Sequence, residues 1–162
     1  MIFAQDEGRF DRISDTRRTW SPPGCRPRSP RQVTRSYLYA YVAVCLGLGQ
    51  MTALILPPAN TEMMKIVLHQ VSQDYPDYFI PMLVDQAGWH RSKKLEMLEN
   101  INLIERPSHS PELNPVEHIW EESREKSFPN KALKHLCRLT KLKNFCVRGF
   151  MPCTRIKINY GL

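Results

Sequence analysis

Two apolar runs separated by a pair of glycines constrain this chain more than any other feature. Tyr37-Leu38-Tyr39-Ala40-Tyr41-Val42-Ala43-Val44 is dense in aromatic and β-branched residues, and Met51 to Leu56 resumes the pattern after Gly47 and Gly49. Such residues suit a pleated sheet, and a glycine turn between them predicts an antiparallel hairpin. Ile2 to Asp6 reads as a further short strand ahead of it. Pro57 and Pro58 end the hairpin, and Asn60 or Thr61 caps a helix whose Met63, Met64, Val67, Leu68 and Val71 recur at helical spacing. Tyr78 to Val84 is a short apolar run expected to be a buried strand, with Pro81 placed at its start or at a bulge. A short helix over 92–99, a strand over 101–105 and a helix opened by Asn114-Pro115 follow, the last broken by Pro129. Three strands followed by alternating helices and strands predict an α/β fold with a mixed five-stranded sheet flanked by helices.

At 162 residues, 42% hydrophobic and 24% charged, the chain suits one globular domain and not wholesale disorder. No apolar run reaches the roughly 18 residues of a membrane helix. Asp6 and Glu7 stand where a secretory leader needs a basic start and an apolar middle, so a cytoplasmic protein is expected. Five scattered cysteines without a Cys-x-x-Cys pair favour free thiols over disulfides or structural zinc.

Charge is uneven. Residues 1–36 carry eight Lys/Arg against four Asp/Glu, residues 37–122 five against eleven, and residues 123–162 ten against one. Basic flanks around an acidic middle suit a protein that grips a polyanion at its edges and gathers carboxylates at its centre. Much of the first flank is a loop-like stretch over 14–35, where Pro22, Pro23, Pro27 and Pro30 alternate with Arg17, Arg18, Arg26, Arg28, Arg31 and Arg35. A basic amphipathic segment, Lys131 to Lys143, begins the second. The alternative for the basic tail is a solvated, solubilising face.

Three acidic residues stand at predicted element ends. Asp6 closes the first strand, Asp85 follows the run ending at Val84, and Glu117 lies in the first turn of a helix. If the first and fourth strands are parallel neighbours, both aspartates emerge together where open α/β sheets place their sites. Clustered carboxylates resist ionisation unless a cation neutralises them, and hard oxygen ligands suit magnesium or manganese. Each residue also has a structural reading. Glu117, three residues after Asn114, fits a capping box; Asp85 fits a turn; Asp6 fits a strand-end charge.

The words around these residues narrow the choice. Gln5-Asp6-Glu7-Gly8-Arg9-Phe10, Leu83-Val84-Asp85-Gln86-Ala87-Gly88-Trp89-His90 and Ser110-Pro111-Glu112-Leu113-Asn114-Pro115-Val116-Glu117-His118-Ile119-Trp120 occur in that order. Over about residues 2–128 the chain resembles the catalytic region of DDE transposases, in the bacterial insertion-sequence branch of the mariner-like superfamily. The resemblance implies a ribonuclease H-like catalytic domain over 1–128, with 129–162 as a basic helix and an atypical or frameshifted tail. It assigns Asp6, Asp85 and Glu117 as catalytic, metal-binding residues holding two Mg2+ or Mn2+ ions, with Glu112 as the rival to Glu117. The implied reaction is DNA cleavage at transposon ends and transfer of the freed 3′-hydroxyl into target DNA.

The implied partners are double-stranded DNA and a second subunit, either a homodimer mate or a partner transposase, at the bacterial nucleoid. Arg17, Arg18, Arg26, Arg28, Arg31, His90 and Lys93 are the candidate DNA contacts; for His90 a hydrogen-bonded internal role is the alternative. Gln86 departs from the asparagine usual in the family, which is expected to weaken support around Asp85. The family carries helix-turn-helix modules ahead of its first strand, and none precedes Ile2 here. The chain is therefore expected to be a fragment or one product of a split gene. The alternative to an active enzyme is an inactive remnant that binds DNA or a transposase partner.

Overall fold

The structure, a computed structural model, describes residues 1–11, 20–26, 37–108, 110–127 and 155–156. Strand β1 spans Phe3–Asp11, β2 Tyr37–Cys45, β3 Gln50–Leu56, β4 Ile80–Val84, β5 Ile101–Glu105 and β6 Arg155–Ile156. Helix α1 spans Thr61–Asp74 and α2 Pro115–Ser127. The sheet order is β5-β4-β1-β2-β3-β6. The hairpin forms as expected, and its turn is a single 3-10 turn, Leu46–Leu48, closed by Gly49 at φ 63°. That left-handed backbone is why glycine stands there.

The parallel pairing of β1 with β4 (Phe3↔Met82, Ala4↔Leu83) brings the first strand beside the fourth. β4 pairs parallel with β5 from Ile80↔Ile101 to Val84↔Glu105. Pro81 is accommodated because it precedes the Phe3↔Met82 pair, so its missing donor has no β1 partner to serve.

Side chains alternate across the sheet and build two cores. On one face Phe3, Tyr41, Leu54 and Leu56 meet Met64, Leu68 and Val71 of α1. On the other, Ala4, Phe10, Val42 and Val44 meet Val116, Ile119 and Trp120 of α2. Tyr39 and Tyr41 are packing residues of the α1 side, and Arg9 lies over the Tyr37 ring at 5.0 Å. Asn60 caps α1, its side-chain oxygen accepting from the Met63 amide at 2.9 Å.

Two expectations need correction. No helix forms over 92–99; the segment is turns and loop. Lys93, Lys94, Glu96, Met97 and Glu99 are exposed, and only Leu95 and the half-buried Leu98 pack on the core, an apolar stripe too narrow to offset helix nucleation. The segment is pinned instead at its ends. Leu95 N donates to Ser92 O, and Asn100 bridges to Ser72 Oγ at 2.8 Å. Second, the sheet has a sixth strand: Arg155 and Ile156 pair parallel with Thr52 and Ala53. The expected helix over Lys131–Lys143 lies outside the described residues.

Candidate active site

β1 and β4 run parallel, and the Phe3↔Met82, Ala4↔Leu83 register carries Asp6 beside Asp85, which directly follows β4. The expectation that Asp6 closes the first strand is corrected: β1 runs on to Asp11 in its pairing with β2, so Asp6 lies inside it. One carboxylate oxygen from each of Asp6, Glu7 and Asp85 lies within 4.8 Å of the others. Glu117, from the first turn of α2, is outside that close group but lines the same cavity of about 300 Å3 with Asp6, Asp85, Arg106 and Asn114. Glu112 is exposed and does not line it.

Asp6 is held from α2. Its Oδ2 accepts from Trp120 Nε1 at 2.9 Å and from Asn114 Nδ2 at 3.0 Å. Burial pushes its carboxyl up to about 6 against the pull of the Trp120 bond, and the charges of Glu7 and Glu117 add to the rise. Asn114 serves two masters, since its Oδ1 also accepts from the Val116 amide at 3.2 Å and caps α2. The capping box is only half formed. The Asn114 amide bonds Pro111 O at 2.9 Å, and no bond ties the Glu117 carboxylate to it. Among the described residues Glu117 has no side-chain partner, so its oxygens are left to the cavity.

Asp85 is held differently. Its Oδ1 accepts from the Ala87 amide at 2.9 Å and from His90 Nδ1 at 2.8 Å. The far nitrogen of the same ring, Nε2, lies 3.3 Å from Glu7 Oε1, which also accepts from Trp89 Nε1 at 3.2 Å. The His90 side chain is 1% exposed. Burial opposes its charge, but the bonds to Asp85 and Glu7 outweigh burial and raise it to about 9. The bond from His90 in turn holds the Asp85 carboxyl below the usual range. The result is a Glu7–His90–Asp85 chain in which the buried ring is bonded at both nitrogens.

The sequence missed Glu7. Strand alternation turns it to the sheet face opposite Asp6, and its partner is 83 residues away. The acidic pair Asp6-Glu7 was the available signal. The reading of His90 as a DNA contact is corrected: both ring nitrogens are spent inside the protein. Gln86 is not idle either, because its Nε2 donates to Arg106 O at 3.1 Å and ties the Asp85 segment to the end of β5. Arg26 and Lys93 are exposed and do not line the cavity. Arg17, Arg18, Arg28 and Arg31 lie outside the described residues.

The donor set is all oxygen, clustered and partly buried, and burial together with the neighbouring acids makes Asp6 resist ionisation; these features fit a hard divalent cation. The family model of the DDE superfamily endonucleases matches residues 1–140. This chain belongs to that family. It is 38% identical over 99 residues to the uncharacterized protein y4pE/y4sA of Sinorhizobium fredii, covering 60% of this chain and 73% of that one. A 36-residue stretch is 50% identical to the Tcb1 transposase of Caenorhabditis briggsae, covering 22% of this chain and 11% of that one.

The fold matches the Mos1 transposase in its paired-end complex with the left transposon end, with TM-score 0.66 at 16% identity over 88% of this chain. A Mos1 paired-end complex with Mn matches with TM-score 0.65 at 17% identity, over 88% of this chain. In both matches the chain spans 46% of the Mos1 chain. The ribonuclease H-like architecture is thereby established. Among the described residues no helix is long and apolar enough to cross a membrane.

Proposed function

We propose that this chain is the catalytic domain of a DNA transposase. It would cleave at transposon ends and join the freed 3′-hydroxyl to target DNA, with Asp6, Asp85 and Glu117 holding two Mg2+ or Mn2+ ions. The observation that carries the reading is that three acids from β1, β4 and α2, remote in sequence, line one cavity. When bound, the ions supply Lewis acidity to the attacking and leaving oxygens of a phosphoryl displacement.

The chain's own residues do the rest. Asn114 and Trp120 orient Asp6, and His90, braced by Glu7, orients Asp85. Glu117 sits in the first turn of α2, which presents its carboxylate to the cavity. We further propose double-stranded DNA at transposon ends and target as the partner, and a second transposase subunit, acting at the bacterial nucleoid. The basic flanks supply the attraction for DNA, so affinity falls steeply with salt.

The test is joining of pre-cleaved transposon-end DNA to a target plasmid in Mg2+ or Mn2+. Joining that disappears in Asp85→Asn upholds the proposal. A folded chain that neither binds Mn2+ nor joins DNA overturns it and leaves the inactive remnant.

A further inference from the structure

Among the described residues Arg106 is the one cavity residue whose charge is opposite to that of the carboxylates. It directly follows β5, and the Val84↔Glu105 register sets it beside Asp85. Its backbone is gripped on both sides of Asp85: its amide donates to Val84 O at 2.8 Å, and its carbonyl accepts from Gln86 Nε2 at 3.1 Å. Pro107, immediately after it, favours an extended backbone at this position.

The residue is 7% exposed, and its Nε is buried with no acceptor. Although it lines a cavity with Asp6, Asp85 and Glu117, its side chain makes no hydrogen bond or ion pair among the described residues. Its charge nevertheless reaches Asp85 and helps hold that carboxyl down. Arg91 gives the contrast: exposed on the surface, it is doubly bonded to Glu105. A buried guanidinium Nε–H without a partner is costly, and the planar fork of donors matches phosphate oxygens.

We propose that Arg106 is a phosphate-binding residue of the cavity, its guanidinium taking a non-bridging oxygen of the DNA phosphodiester brought to Asp6, Asp85 and Glu117. The assignment rests on the DNA-processing reading above and supplies that reading with an anion contact which carboxylates cannot make. The competing role is that of a counter-ion, which lowers repulsion among the acids and never meets DNA.

The experiment is fluorescence anisotropy of a labelled short duplex with a recessed 3′ end, binding the full chain in Mg2+ from about 50 to about 200 mM salt. Arg106→Gln is expected to weaken binding about ten-fold and to make the slope of log affinity against log salt shallower by about 0.9, one phosphate contact. Arg106→Lys keeps the slope and recovers only part of the affinity, because the charge remains and the fork does not. Lys65→Gln, on α1 across the sheet, changes neither.

Unchanged affinity and slope in folded Arg106→Gln overturn the proposal, as does tighter Mn2+ binding with no effect on DNA. Should Arg106→Gln fail to fold, unaltered affinity in Arg106→Lys overturns it equally. Joining activity with no slope change removes Arg106 alone. A slope change without any metal-dependent joining removes the transposase reading and leaves the phosphate contact.

Discussion

Gly8 links the stability of this fold to its site, and Gly8→Ala puts a sign to that link. A Cβ at Gly8 would lie 2.9 Å from Trp120 Cδ2, 3.0 Å from Trp120 Cε3 and 3.1 Å from Phe10 Cε2. Carbon atoms in packed interiors prefer about 3.5–4.0 Å, so the indole must retreat by roughly 0.5–1 Å. Trp120 is 1% exposed, stacked edge-on against Phe10 and bonded through Nε1 to Asp6 Oδ2 at 2.9 Å. Overpacking of this kind costs about 1–3 kcal/mol, against a gain of about 0.5–1 kcal/mol from replacing glycine in a strand. The net runs from near zero to a loss of about 2.5 kcal/mol, centred on about 1 kcal/mol. Retreat of the ring also stretches the bond to Asp6, so Mn2+ affinity falls as well. Urea unfolding gives the first quantity and isothermal titration the second. A variant more stable than the parent, with Mn2+ affinity unchanged, refutes the reasoning, since that is what strand preference alone predicts.

Further outcomes follow from the same contacts. In metal-free protein His90, raised from 6.5 to about 9, contributes stability that is full below pH 6.5 and is lost as pH rises through 9. That contribution is on the order of 3 kcal/mol, and urea midpoints that stay level over this window, or that fall equally in His90→Gln, contradict it. Asp6, raised from 3.8 to about 6, adds stability below 3.8 that is lost as pH climbs through 6. A divalent ion, which needs the ionised form, should therefore displace a proton near pH 5–6 in calorimetry, and a buffer-independent binding heat there would argue otherwise. Asn114→Ala loses a helix cap and an Asp6 bond together, expected at about 1–2 kcal/mol with weakened metal binding; thermal denaturation unaffected by the change would exclude the dual role. Glu117→Gln should abolish DNA joining while Glu112→Gln leaves it intact, and the reverse result would exchange their assignments.

Much of this architecture was legible because local chemistry and tertiary placement agree. The β-branched hairpin, the Asn60 cap and the apolar spacing of α1 each state the element they form. The position of Asp6 and Asp85 followed from one topological condition, that β1 and β4 run parallel, which the Phe3↔Met82 pairing meets. Where local preference and environment parted, the sequence misled. Residues 92–99 hold good helix formers, yet only Leu95 and Leu98 reach the core and the segment is fixed by Asn100 and Ser92. Glu117 has capping-box spacing, but Pro111 takes the amide it would have served. Glu7, His90 and Trp89 form one network across more than eighty residues, and no periodicity encodes such a contact. Arg106 was unremarked because an arginine after a strand is ordinary; only its burial without a partner sets it apart.

The account stands on divalent ions being held jointly by acids from three separate elements. Calorimetric titration with Mn2+ in the presence of a short DNA duplex measures this most directly, comparing the parent chain with Asp6→Asn, Asp85→Asn and Glu117→Gln. Two sites in the parent, with binding weakened or lost in each variant, is the predicted result. Undiminished stoichiometry and affinity in folded Asp6→Asn and Asp85→Asn would contradict it.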